Sequence, residues 1–497
     1  MIVRYQMLRA HANSCILQDS ESDWATESAR MDQIYARAAC TIAATASIDS
    51  NGGLFFERYL EPLLPHFLDI HFDSAASWLK GKAEGCYLNG TYLCDVECMS
   101  EYCIENAPLN SRAWVSQERQ LSRRVLHFSN SQLFWECHEH RTCETYPNGI
   151  PKGALPSWHN DATILKRRLH QFKQHDDTFS DGSKISLLLE PGLNDGLYWA
   201  WCSFRVHYSQ SALTRESDKL VALRGIAKHV SEVTGDELIA GLWKSRMIEE
   251  LCWCKRLTSS KKTSTQPTEW RAPTWSWAAS NDMIWMSITS KFHSWHENRY
   301  FEAEVIDLDI GTKLSGELTH GSMKIRCRPM LATIIPNAYT PSLRYDLEGY
   351  LELIEEDIHP SKTTLNQEEI RVRSGLLMDD PNFCDPQQVY IVLIQRCLHE
   401  NAHQNEDKES EQDSDKSSIL SDSQEGILRG DQESMESQEV LPEGGDTDML
   451  EGLLLQKNDK HPTAFSRIGM FHLAGLNEVR PILNAHLKRA CRTITLI

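Results

Sequence analysis

The stretch that decides the fold reads NSRAWVSQE at residues 110–118 and RQLSRRVLHFSNSQLFWEC at residues 119–137. It crowds arginine, tryptophan, glutamine and glutamate into a short arrangement that generic packing does not require. Residues Arg112 to Leu121 are predicted to form a short helix. The apolar pattern that follows predicts two strands, Val125 to Phe128 and Gln132 to Cys137.

A second informative block lies upstream and begins with CILQD at residues 15–19. After it, apolar residues recur at helical spacing and predict one helix from Asp23 to Ala46. Asp23 is a candidate N-cap of that helix, and Glu27 would lie in its first turn, where the helix dipole favours a carboxylate.

Together the two blocks resemble the fungal heterokaryon-incompatibility (HET) domain. The residues that carry the resemblance are Cys15, Gln18, Asp19, Tyr35, Arg112, Trp114, Gln117 and Glu118. The block PTWSW at residues 273–277 resembles a region that follows the domain in many of these proteins. Because HET domains are distantly similar to Toll/interleukin-receptor (TIR) domains, the resemblance implies an α/β chain: an incomplete TIR-like, flavodoxin-like domain, then a helical segment, then a β-rich C-terminal region.

The resemblance also implies strands that this sequence lacks. HET domains carry a Leu-Ser-Tyr-x-Trp-Gly-like strand and a Tyr-Leu-Trp-Ile-Asp strand before the Cys-Ile-x-Gln-Asp block, and neither precedes Cys15. The chain is therefore predicted to be truncated at its N-terminus. An exposed sheet edge and an uncovered helix face are expected there.

The resemblance, together with shifts in composition and pattern along the chain, implies five regions. They are a partial HET domain (1–140), a mainly helical HET-associated region (141–280), a β-rich region (281–399), an acidic disordered insertion (400–451) and C-terminal strands that complete the β-rich region (452–497). The insertion holds 17 acidic residues against Lys408, Lys416 and Arg429, so −14 of the net charge of −19 lies in it. Such a segment buries too little apolar surface to offset its conformational entropy.

The bulk numbers place the chain among intracellular globular proteins. Hydrophobic residues make up 41% of it, which suffices for real cores. Its 15 cysteines accompany no secretory leader and no apolar run that could span a bilayer, so reduced thiols and a cytoplasmic location are predicted. Neither nucleic acid nor a membrane span is expected.

Common enzyme motifs are absent from the sequence, including a Walker loop, a Gly-x-Ser-x-Gly elbow and His-Glu-x-x-His. Cysteines and histidines cluster between residues 86 and 143, but their spacing matches no standard zinc site. Buried thiols are the favoured interpretation, with no metal and no tightly bound cofactor.

Glu27 is the candidate catalytic residue that the TIR resemblance implies, because some TIR domains cleave NAD with a glutamate near the start of a helix. A fixed carboxylate beside the glycosidic bond would stabilise the ribosyl cation, which makes NAD a candidate substrate. The alternative is that Glu27 only complements the helix N-terminus.

The other motif residues also have two interpretations. Gln18 and Asp19 would line a crevice at the end of a strand, or Asp19 would form a turn. Arg112 and Glu118 would orient a site through a buried charge network, or form a structural pair, which we favour. Trp275 and Trp277 are expected to pack in the core.

The implied role is fungal non-self recognition leading to regulated cell death. Two alternatives stay open, a non-catalytic signalling adaptor and an inactive remnant of a truncated gene. The expected partners are other incompatibility or HET-domain proteins, including further copies of this chain.

Overall fold

A computed structural model describes residues 20–58, 66–70, 90–94, 101–151, 163–178, 191–255, 267–285, 299–313, 315–336, 347–354, 371–379, 386–397 and 449–497. Within these ranges the chain is mixed α/β. The predicted insertion at 400–451 falls outside them, except for its last three residues. No helix in the described ranges combines the length and apolar character needed to cross a bilayer.

Among the described residues, the N-terminal part contains three α-helices and six strands. They are α1 Glu21–Ser28, α2 Met31–Arg37, β1 Thr41–Ala43, β2 His66–Ile70, β3 Gly90–Cys94, α3 Ala113–Leu121, β4 Arg124–Phe128, β5 Leu133–Cys137 and β6 Arg141–Cys143. Four strands form one sheet in the order β1-β4-β5-β6. Its pair β1·β4 is parallel and the other two pairs are antiparallel. The predicted helix at 112–121 and the two strands after it are confirmed.

The predicted single helix from Asp23 to Ala46 is wrong in its second half. The structure has two short helices, α1 and α2, and Thr41–Ala43 form strand β1. Ala38 is extended (φ −61°, ψ 134°), and Thr41 then pairs with Val125 on β4. Periodicity alone does not separate a buried helix from a short strand, and the β-branched Thr41 and Ile42 suit the strand that β4 offers.

Helices and short hairpins follow in the middle of the chain. They are α4 Ile164–Thr178, α5 Pro191–Ser209, α6 Arg224–Thr234, β7 Leu238–Ile239, β8 Leu242–Trp243, α7 Met247–Glu250, β9 Cys254–Lys255 and β10 Ile284–Trp285. Between β7 and β8, Ala240 and Gly241 both adopt positive φ (48° and 90°), as a tight hairpin turn requires.

Ten strands build the C-terminal sheet, with one helix packed on it. They are β11 Arg299–Phe301, β12 Glu304–Thr312, β13 Leu318–Cys327, β14 Met330–Pro336, β15 Leu347–Leu353, β16 Arg371–Met378, β17 Gln387–Cys397, β18 Met449–Lys457, β19 Ala464–Ala474, α8 Leu476–Leu487 and β20 Arg492–Leu496. Nine strands follow the order β11-β17-β14-β15-β16-β19-β20-β13-β12, and β18 pairs with both β17 and β19.

The strands that flank the predicted insertion are neighbours in this sheet. Tyr390 on β17 pairs with Leu455 on β18, so the expected pairing of these strands is confirmed. The predicted end of the insertion at Glu451 is wrong, because β18 already begins at Met449. Glu451 is fully buried and its carboxylate accepts a hydrogen bond from the Gln395 amide, so a charged residue there does not mark a loop.

One apolar core joins all three parts of the chain. A continuous cluster runs from Met31 and Tyr35 on α2, through Trp201 on α5, to Leu496 on β20. A second cluster lies between the sheet and α8 and contains Leu454, Phe471 and Ile482. The described parts of the HET-like region are therefore packed onto the rest of the chain, not tethered to it.

Candidate functional site

The signature helix α3 is held against α6 by a direct contact. The Gln117 side chain is 1% exposed, and its Oε1 accepts a hydrogen bond of 3.2 Å from the backbone N–H of Gly225. A Cβ placed on Gly225 would lie 2.7 Å from that oxygen and 2.9 Å from the Cβ of Asp32. Only a glycine admits so close an approach, so the glutamine and the glycine are matched across the contact.

Two further polar contacts fasten the same interface. Trp114 Nε1 donates a hydrogen bond of 3.2 Å to the Asp218 carboxylate. Asp32 on α2 forms an ion pair of 2.8 Å with Lys228 on α6. The isolated bridge between Arg112 and Ala212 adds a backbone contact. The residues that carry the HET resemblance therefore dock the N-terminal part on the helical region.

Glu118 on α3 lies next to Tyr35 on α2. Burial raises the pKa of its carboxyl to about 7, although a hydrogen bond from Tyr35 and the charge of Arg112 both act to lower it. A carboxyl with a pKa near neutrality can exchange a proton at physiological pH. The charge of Arg112, which is exposed, therefore acts on Glu118 together with the Tyr35 hydroxyl, and the buried pair of Arg112 and Glu118 stays a prediction.

A buried charge network centred on Arg119 lies next to this group. Arg119 donates to Glu105 through both terminal nitrogens (2.7 and 2.9 Å) and to Glu136 through Nε and Nη2 (2.9 and 2.8 Å). The Nζ of Lys166 donates to the other oxygen of Glu136 at 3.1 Å. All these side chains are under 8% exposed.

Electrostatics decides the protonation of this network. Burial raises the pKa of Glu136, but the charges of Arg119 and Lys166 outweigh it and hold that pKa well below 4.5. Burial lowers the pKa of His127, whose Nε2 lies 3.5 Å from Glu136 and whose Nδ1 contacts the Thr45 hydroxyl at 3.0 Å. The network thus ties β4, β5 and α3 to α4.

Sequence reasoning missed this network. Glu136 stands between Trp135 and Cys137 in the stretch that decides the fold, and a charged residue between two apolar positions was the available signal. Arg119, Lys166 and Glu105 carry no such signal, since each has a charged or polar neighbour on at least one side. Their pairing follows only from the folded chain.

Glu27 does not lie where the sequence placed it. Helix α1 begins one turn earlier than predicted, with Ser20 as its N-cap accepting from the Asp23 backbone N–H at 3.3 Å. Asp23 as N-cap is therefore wrong, and Glu27 stands in the last turn, where the helix dipole disfavours a carboxylate. Its side chain is 28% exposed and pairs with Arg30 at 3.2 Å.

Three motif residues, Cys15, Gln18 and Asp19, lie outside the described residues. Trp275 and Trp277 are both fully buried, as expected. Trp277 Nε1 donates to the Gly241 carbonyl at 2.7 Å and so supports the β7–β8 turn. In the described ranges, no group of three His, Cys, Asp or Glu side chains is arranged to hold a metal ion.

These contacts define an α/β domain whose signature helix is docked on a helical region and, through one core, on a large and mostly antiparallel sheet. Residues 12–118 match the family model of the heterokaryon incompatibility protein (HET). This part of the chain is therefore similar to the HET domain. No curated protein and no solved structure matches it.

Proposed function

We propose that this chain acts in heterokaryon incompatibility, as a protein of fungal non-self recognition that triggers regulated cell death. The match of residues 12–118 to the HET family supports this proposal. The proposed partners are other HET-domain proteins, including further copies of this chain. The proposed location is the cytoplasm.

An adaptor mechanism is the one that the geometry supports best. The polar groups of Trp114 and Gln117 are engaged by Asp218 and Gly225, inside the chain. Side chains that fasten one region to another can transmit a displacement between them, but they are not available to a substrate. We therefore propose that the HET domain signals by assembly and that its signature couples it to the helical region.

NAD cleavage by a TIR-like active site is the second candidate. Glu27 favours it, because this carboxylate is partly exposed and has Arg30 as its ion-pair partner. In that mechanism the carboxylate would stabilise the ribosyl cation, and NAD would be a substrate, not a bound cofactor. The TIR-like topology is part of this candidate, and the parallel β1·β4 pair is the described feature that agrees with it.

Glu27→Gln separates the two mechanisms. The chain and this variant are produced in a fungal host, and cellular NAD and viability are followed together. The matched control is Glu232→Gln, since Glu232 also forms a partly exposed pair one helical turn from its partner, His229. Exposed pairs contribute about 0.2–1 kcal/mol, so neither substitution should disturb folding.

We expect killing to persist in Glu27→Gln with NAD unchanged. Loss of both NAD consumption and killing in Glu27→Gln, but not in Glu232→Gln, would replace the adaptor with the enzyme. Absence of killing by the unmodified chain alongside a co-expressed HET-domain partner would identify an inactive remnant and overturn the proposed function.

A further inference from the structure

A cavity of about 570 Å³ opens beside the C-terminal end of the signature helix. Arg37 ends α2, Arg123 follows α3, Arg124 begins β4, His138 follows β5, and Lys166 and His170 lie one turn apart on α4. Helix α6 adds His229 to the wall. The volume is in the range of pockets that enclose small molecules.

The cavity is strongly cationic in an acidic protein. Arg37 and Arg123 form no ion pair within the described residues, and Arg124 donates only to the Ala39 carbonyl, at 3.4 Å. The one carboxylate in the wall, Glu139, is 66% exposed and lies 3.9 Å from His140. Among the described residues these three guanidinium groups therefore have no carboxylate partner, although the chain carries a net charge of −19.

Lys166 adds a fixed group at the base of the cavity. Its ammonium is held by Glu136 at 3.1 Å and by the Arg119 carbonyl at 3.3 Å, so its position is set by the buried network. Unlike the three arginines, it has a carboxylate partner. Lys166 therefore forms a fixed part of the cavity wall, and its charge is balanced by Glu136.

Two stacked histidines line the same space. The rings of His138 and His170 lie 4.2 Å apart and are tilted by 31°. Burial, together with the positive charges of His170, Lys166 and Arg123, lowers the pKa of His138 to about 4. A neutral imidazole still donates one N–H, and a bound anion would relieve the repulsion among these groups.

We propose that this cavity binds a small anion that carries two or more phosphate groups. Guanidinium groups match phosphate oxygens in a bidentate manner, and three of them provide for more than one phosphate. Concave surfaces lined by one sign of charge concentrate ligands of the opposite sign. The shared chemistry is that of a pyrophosphate, free or esterified to a nucleoside. This inference does not depend on the proposed function.

The test is calorimetric titration of the full chain with inorganic pyrophosphate, with ADP and with adenosine. We expect pyrophosphate and ADP to bind, with an affinity that falls as salt is raised, and adenosine not to bind. Tighter binding of ADP than of pyrophosphate would identify a nucleoside ester as the ligand, and equal binding a free polyphosphate. None of the probes contains the nicotinamide–ribose bond, so binding is measured without any NAD cleavage.

Arg123→Gln is the informative variant and Arg168→Gln its matched control. Both arginines are exposed, but Arg168 lies on the outer side of α4 and does not line the cavity. Loss of one charged hydrogen-bonding group should weaken pyrophosphate binding about tenfold in Arg123→Gln, and Arg168→Gln should bind as the unmodified chain does. The double variant Arg37→Gln/Arg123→Gln should lose binding.

Three outcomes would overturn the proposal. They are no binding of pyrophosphate or ADP at millimolar concentration and low salt, equal weakening by Arg123→Gln and Arg168→Gln, and binding of a short single-stranded RNA without binding of pyrophosphate. Melting curves of each variant, recorded alongside, show whether a loss of binding comes from unfolding.

Discussion

The N-terminal part and the C-terminal sheet hold themselves together by different means. Around Arg119, four charged or titratable side chains of the described N-terminal part lie in the interior together with Lys166 of α4, and the separate apolar cluster there has only Ile104, Phe134 and Cys143 as its buried members. The sheet instead buries a broad apolar cluster against α8, with residues such as Leu454, Phe471 and Val479 at 0% exposure. One region depends on matched charges and the other on matched shapes.

Because of this difference, the two regions should respond differently to substitutions. Apolar packing loses free energy gradually as atoms are removed, because neighbours partly relax into the space. A buried charge network fails abruptly when one member is lost, since the remaining charges stay desolvated without a partner. Substitutions in the charge network of the HET part should therefore lower the free energy of unfolding more abruptly than substitutions in the apolar sheet.

The largest effect is expected from Arg119→Met. It leaves Glu105 and Glu136 buried and facing one another without their shared cation, and should lower the free energy of unfolding by about 3–5 kcal/mol. Leu454→Ala in the sheet should cost about 2–5 kcal/mol through the cavity it leaves. Chemical denaturation of both variants measures the two losses.

A second substitution distinguishes the loss caused by an unpaired buried charge from the loss caused by a cavity. Adding Glu136→Gln to Arg119→Met removes one uncompensated charge and should recover part of the stability, whereas no charge change rescues Leu454→Ala. Both variants should shift one common transition, because the main core runs from Met31 to Leu496. A HET part that melts separately from the sheet would break the comparison.

A smaller loss is expected from Gly225→Ala at the docking contact. The new methyl group would meet the Gln117 carboxamide at 2.7 Å, so α3 and α6 must separate slightly. Such overpacking typically costs about 1–3 kcal/mol. The matched control is Gly196→Ala on α5, where the added Cβ meets nothing within 4 Å. Equal melting temperatures of the two variants would show that the contact is looser than described.

The smallest effect concerns Glu118 and pH. Its folded pKa of about 7 lies above the ordinary 4.5, so the folded chain binds this proton more tightly than the unfolded chain does. The free energy of unfolding that it contributes therefore falls as pH rises from about 4.5 to about 7, and is constant above that.

Glu118→Gln removes this dependence while keeping an acceptor for Tyr35. Relative to the unmodified chain it should gain about 1–2 kcal/mol between pH 5 and pH 8, less than the full value of about 1.4 kcal/mol per pKa unit because the Glu118 side chain is partly exposed. Denaturation at the two pH values measures the gain. Burial also lowers the pKa of His127, but this residue is present in both proteins and its effect cancels in the difference. A gain that appears below pH 4.5 instead would refute the assignment.

The local sequence pattern was enough to predict several helices and strands. It failed where pairing with a distant strand decided whether a segment is helix or strand. Helix α3 and strands β4 and β5 could be predicted, because a compact apolar pattern marks each of them. Strand β1 could not, because Thr41 and Ile42 also fit a helical spacing and only β4 selects the strand. The end of the acidic segment was misplaced because Glu451 is charged yet buried beside Gln395.

The candidate site shows the same limit. The HET signature was recognisable from Arg112 to Glu118, and the structural interpretation of Trp275 and Trp277 is supported by their burial. The partners of the signature were not predictable, since Gly225, Asp218 and Lys228 stand about a hundred or more residues later in the chain. Glu27 was predicted to lie in the first turn of a helix that begins after Asp23, but the helix begins at Glu21 and Glu27 lies in its last turn.

The strand pairing of the C-terminal sheet bears on how the chain is made by the ribosome. Strand β13 has its partner in β20, as in the pair Met323 and Leu496, and β16 has its partner in β19, as in Gly375 and His472. At about 5–20 residues per second, β13 emerges on the order of ten seconds or more before its partner. Through that interval its backbone donors and acceptors are open to other chains. The sheet can be completed only after β20 has left the ribosome. Chaperone binding to the nascent chain should therefore be concentrated between β13 and β19.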